Sequence, residues 1–147
     1  MESNQNIKHT VPFLAVSNME TSLRFYVDGL GFMITHKWIP GNKIEWCALR
    51  REGASLMLQE RRKKENEEWM QEGKAGAGVS IFVICEDALS LYKEFISKNI
   101  KASEPFVRNN MWLTSLRDPD GYSIEFESAT DVPEETNYSD WSKQDEV

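Results

Sequence analysis

Several features that would fix a function at once are missing from this sequence. Its 147 residues include two cysteines, Cys47 and Cys85, in unrelated apolar segments without CxxC spacing, which suits reduced core thiols and not a disulfide framework. No stretch approaches the about 20 apolar residues that a membrane span needs. The opening "MESNQNIKHT" has neither the basic nor the apolar region of a secretory leader, so a cytoplasmic protein is expected. Positive charge is in deficit: 17 Lys and Arg stand against 24 Asp and Glu, a net charge of -7. The one basic run, "ERRKKENEE", is interleaved with glutamates, and nucleic-acid binding, which requires clustered cations to displace phosphate counterions, is excluded. There is no HExxH, no Ser/His/Asp grouping and no phosphate-cradling loop, since "GKAGAG" lacks the strand-to-helix context.

What is present is an ordinary globular composition, 40% hydrophobic and 28% charged, in a length that suits one domain. It is also internally repeated. "EGASLMLQ" (52–59) aligns without gaps on "DGYSIEFE" (120–127) at an offset of 68, and "VSNMETSLRFY" (16–26) aligns on "CEDALSLYKEF" (85–95) at an offset of 69. Two distant segments sharing nearly one spacing indicate a duplicated module.

Each copy reads as strand, helix, then strands. In the first, "TVPFLAV" precedes a helix for which Ser17 and Glu20 have capping-box spacing and Met19, Leu23, Tyr26, Val27 and Leu30 form the apolar face. Gly29 and Gly31 end it, and "FMITHKW", "KIEWCAL" and "ASLMLQ" follow as strands. The second copy runs "VSIFVIC", a helix opened by Asp87, then "IKASEPF", "MWLTSL" and "YSIEFES". The modules span about 9–60 and 78–128 of a single domain (1–128). A charged, then Gly-rich linker (61–77) joins them, and an acidic tail (129–147) has Tyr138 and Trp141 as its anchors.

Strand alternation assigns faces. Leu14, Val16, Leu56, Leu58, Ile124 and Phe126 should pack on the helices. Val11, Phe13, Ala15, Ser55, Met57 and Gln59 in one copy, and Ser80, Phe82, Ile84, Ser123, Glu125 and Glu127 in the other, should line the bare face of the sheet.

Over residues 9–128 the chain resembles the vicinal oxygen chelate superfamily, in its glyoxalase/bleomycin-resistance branch. "FLAVSNMETSLRFYVDGLGF" is similar to that family's strand, helix and FY…LGF pattern, and "LRDPDGYSIEF" to its closing hairpin. The resemblance implies an α+β fold of two tandem βαβββ modules, a curved mixed sheet around a U-shaped cleft, often completed in a homodimer. Metal-dependent members hold a divalent ion through four residues on the first and last strands, and the matching positions here are Val11, Met57, Ser80 and Glu125. Only Glu125 is a good ligand, so a metal cofactor is not expected. If a metal is present after all, His9 on the first strand is the fallback partner of Glu125, and His36 is expected at the rim.

The aromatics then become the candidates. Phe13, Trp38, Trp46, Phe82 and Trp112, with Met57 as an adaptable wall and Glu125 as a polar anchor, would form a box for a planar or cationic ligand. The expectation is a metal-independent binding protein resembling bleomycin-resistance proteins. It would be a homodimer sequestering an amphipathic or cationic small molecule, with no nucleic-acid or membrane partner. The alternative is a glyoxalase-like lyase or isomerase with Glu125 as base and an atypical divalent-metal site; no catalytic residue is otherwise assigned. A peptide-binding partner protein is a third possibility.

Overall fold

Residues 5–61 and 75–144 are described by the structure, a computed structural model. Strand β1 (Phe13–Val16) ends at a cap. The helix that follows is capped by Asn18, whose extended backbone (φ -146°, ψ 110°) lets its side chain accept the Thr21 N–H at 3.0 Å. The cap thus lies one residue beyond the expected Ser17, whose own N–H binds the Asp120 carboxylate at 3.0 Å, while Glu20 pairs with Arg24 at 2.8 Å. Helix α1 (Met19–Leu23) runs on into a π-helical turn (Arg24–Gly29), in which the Leu30 N–H reaches back to the Phe25 carbonyl at 2.8 Å. Tyr26 and Leu30 are fully buried there, and Gly31, at φ +79°, turns the chain toward the next strand.

Strands β2 (Met33–Trp38), β3 (Trp46–Arg51) and β4 (Ala54–Glu60) complete a four-stranded sheet in the order β1-β4-β3-β2, with β1 parallel to β4. The second half repeats it. Strand β5 (Ser80–Ile84), helix α2 (Ala88–Ser97), capped by Asp87, and strands β6 (Phe106–Arg108), β7 (Met111–Arg117) and β8 (Ser123–Ala129) give the order β5-β8-β7-β6. The protein is α+β, two tandem βαβββ modules. The expected linker lies mostly outside the described residues.

Among the described residues the two sheets share no hydrogen-bonded ladder; side chains join them. One apolar cluster contains Leu14, Tyr26 and Leu58 from the first module and Phe95, Ile124 and Phe126 from the second. Polar ties cross the same boundary. The Tyr26 hydroxyl donates to buried Asp118 at 2.8 Å, the Tyr122 hydroxyl to the Ala15 carbonyl at 2.9 Å, and the Arg51 guanidinium to Glu94 at 2.8 and 3.1 Å, while within the first module Arg51 also donates to the Leu30 carbonyl at 2.7 Å.

Beyond β8 the chain returns along the outer edge of β6. Glu135 N–H donates to the Val107 carbonyl at 2.9 Å, Val107 N–H to the Thr136 carbonyl at 3.0 Å, and Tyr138 N–H to the Pro105 carbonyl at 2.9 Å. Helix α3 (Tyr138–Gln144) then packs Tyr138 and Trp141 edge-to-face against Trp112, with ring centroids 6.3 and 5.5 Å away.

Candidate ligand-binding site

Register turns the two modules into two equivalent rows. Phe13 on β1 lies opposite Met57, which lies opposite Ala48, which lies opposite His36. In the second module Phe82 on β5 lies opposite Glu125, which lies opposite Ser115. Met57 and Glu125 therefore occupy one structural position in two copies, each beside a phenylalanine. One step along, the first sheet carries the row Ala15, Gln59, Trp46, Trp38, and the second Ile84, Glu127, Leu113. Residues two apart share a face, so these rows lie on the side of each sheet away from buried Leu58, Cys47, Ile124 and Phe126.

Trp38 and Trp46 meet because of a bulge. The register shifts between Ile34 and His36, where the Thr35 hydroxyl donates to the Ala48 carbonyl at 3.2 Å. Without that extra residue Lys37 would lie opposite Trp46; with it Trp38 does, and the two indoles form a cross-strand pair on the open face. Trp38 remains 48% exposed, on an edge strand all of whose residues, His36 included, are exposed. Phe13 and Phe82 are similarly open. Ala15 shares this face but is buried, and the Tyr122 hydroxyl bonds its carbonyl.

Glu125 is half-buried and oriented: the Ser115 hydroxyl donates to its Oε1 at 2.9 Å. Ser115 was not among the expected site residues, although "MWLTSLR" places it by alternation on the polar side, with Leu113 and Arg117.

Trp112 requires correction. It is 4% exposed and lies opposite Ser128, whose hydroxyl accepts the Ala88 N–H at 2.8 Å, so it faces the helices. Val107, Ala88, Tyr138 and Trp141 surround it. It is a core residue and no part of a ligand box. The remaining six candidates fall into two groups on two sheets: Phe13, Trp38, Trp46 and Met57 on the first, Phe82 and Glu125 on the second.

The donor set does not suit a metal. At the four family positions stand a valine, a thioether, a serine whose hydroxyl is 3.2 Å from that of Ser123, and one carboxylate already bonded to Ser115. His9 is exposed in the stretch ahead of β1. Among the described residues no three His, Cys, Asp or Glu side chains are grouped to hold an ion. The thiols are structural in character: burial pushes Cys47 up to about 11 and raises Cys85.

Residues 6–126 match the sequence pattern of the glyoxalase/bleomycin resistance protein/dioxygenase superfamily, and the chain belongs to that superfamily. No curated protein matches it. Among solved structures it is similar to TioX from Micromonospora sp. ML1, at 17% identity and TM-score 0.65 over 83% of this chain and 98% of that one. A bleomycin-binding protein complexed with bleomycin aligns at 18% identity and TM-score 0.62, over 83% and 98% of the two chains. TnmS3, an antibiotic binding protein from Streptomyces sp. CB03234, aligns at 19% and 0.62, over 86% and 100%. At these identities the likeness speaks for the fold. No helix among the described residues is long and apolar enough to cross a membrane.

Proposed function

We propose that the protein is a metal-independent binding protein that sequesters a planar or amphipathic cation, with no chemistry on the ligand. The observation that carries this reading is the Trp38–Trp46 pair beside Met57 on one open sheet face, with Glu125 at the position equivalent to Met57 on the other. Indoles stack a planar ring and attract a cation at about 0.5–2 kcal/mol per contact. An oriented carboxylate supplies the opposite charge, and the net charge of -7 raises the local concentration of cations. The donor set supports the metal-free part, and the antibiotic-binding and bleomycin-binding neighbours support the ligand class. A homodimer that brings the two open faces into one cleft, in the cytoplasm, belongs to the same reading.

The test is calorimetry with metal-free bleomycin and with 9-aminoacridine, a planar cation, in the presence of chelator. Binding of one of them should weaken about tenfold in Trp46→Ala and in Glu125→Gln. Binding that ignores both substitutions, or requires added metal, contradicts the reading.

A further inference from the structure

Among the described residues strand β5 pairs on one side only, with β8. Along its other edge lies a cavity of about 910 Å³, within the range of organic-ligand sites. Its walls are largely apolar: aliphatic side chains that include Leu56, Val83 and Leu91, together with the rings of Phe32, Phe82 and Phe126. Among the described residues the charged side chains of its lining are Glu52, Glu86 and Asp87 against Arg51. That guanidinium is already engaged by Glu94 and by the Leu30 carbonyl. The described lining is thus acidic where it is charged and otherwise largely apolar, and of the candidate residues of the other site only Phe82 reaches it; Trp38, Trp46, Met57 and Glu125 do not.

We propose that this cavity is a second ligand site, separate from the tryptophan face, which takes an aliphatic ammonium: alkyl chain against Leu56, Val83 and Leu91, cationic head toward Glu52 and Glu86. An alkyl sulfate or fatty acid would bring its charge against these same carboxylates.

Cys85 lines the cavity, whereas Cys47 is fully buried, so thiol labelling reads this site alone. The probe is decyltrimethylammonium below its micelle concentration, with decyl sulfate as the charge control. The readout is the rate of Cys85 modification by N-ethylmaleimide at mildly alkaline pH, located by peptide mass mapping. Decyltrimethylammonium at ten times its dissociation constant should slow labelling about tenfold, and decyl sulfate at the same concentration should not. Glu52→Gln/Glu86→Gln should abolish the protection with its unfolding temperature unchanged, both positions being exposed. Trp46→Ala should leave protection intact, which separates this outcome from that of the proposed cleft. Equal protection by both amphiphiles, protection that survives the double substitution, or no protection overturns the proposal. So does labelling that slows with protein concentration alone, because a second copy would then be the occupant.

Discussion

Asp118 collects three donors in the interior: the amides of Asp120 and Tyr122 at 2.9 and 2.8 Å on Oδ1, and the Tyr26 hydroxyl at 2.8 Å on Oδ2. Burial raises its carboxyl above the ordinary value despite those bonds, and burial together with Asp118 pushes the Tyr26 phenol far up. Asp118→Ala would leave all three donors without this acceptor. We expect a loss of about 2–4 kcal/mol, read as a fall of roughly 8–15 °C in thermal unfolding. Tyr26→Phe, which spares the two amides, should cost less than half of that. Trp112 and Trp46 make a second contrast. Trp112→Ala opens a core site and should cost about 3–5 kcal/mol, while Trp46→Ala should change ligand affinity much more than stability. The alternation of "MWLTSLR" held the clue to Trp112, because its face-mates Thr114 and Leu116 are buried. The Trp38–Trp46 pair was not legible in the same way. It depends on one bulged residue, Thr35, and nothing in "FMITHKW" marks where a ladder slips.

At the scale of elements, the C-terminal segment closes two liabilities at once, the free edge of β6 and the exposed flank of Trp112. Deletion of 130–147 should therefore lower the unfolding temperature and promote self-association, measured by calorimetry and light scattering. Trp141→Ala should reproduce only the first effect. The segment read as a tail because it has little periodicity of its own; its structure is dictated by what it packs on. The Arg51–Glu94 pair, which ties β3 to α2, gives a pH dependence. The Arg51 hydrogen bond holds the Glu94 carboxyl below its usual value. Because the folded value is depressed, the pair's stabilisation is complete above the ordinary carboxylate range and is lost as pH falls through the lowered value. Wild type should thus unfold at a higher temperature than Glu94→Gln at pH 7, with the gap closing toward pH 3. The first helix shows a local limit of the sequence: Asn18 and Ser17 are both good caps, and the bond from Ser17 to Asp120, 103 residues away, decides between them.

For the whole molecule, the duplication was visible as two nearly equal offsets, and the identical strand orders follow from it. The positional equivalence of Met57 and Glu125 was visible as well, because each closing strand alternates cleanly. How the candidate residues divide was not visible: alternation names a face, whereas the division into two groups follows from there being two sheets joined through a core and not by a ladder. If two copies combine those faces, light scattering should give twice the chain mass of 17.0 kDa. The central claim is that Glu125 anchors a ligand and is not the remaining member of a metal site. Metal content, measured on untagged protein and on Glu125→Ala, tests it most directly. We predict substoichiometric nickel, zinc, manganese and magnesium in both proteins; one equivalent of any of these in the wild type, lost in Glu125→Ala, would contradict the claim and favour a metal-dependent lyase.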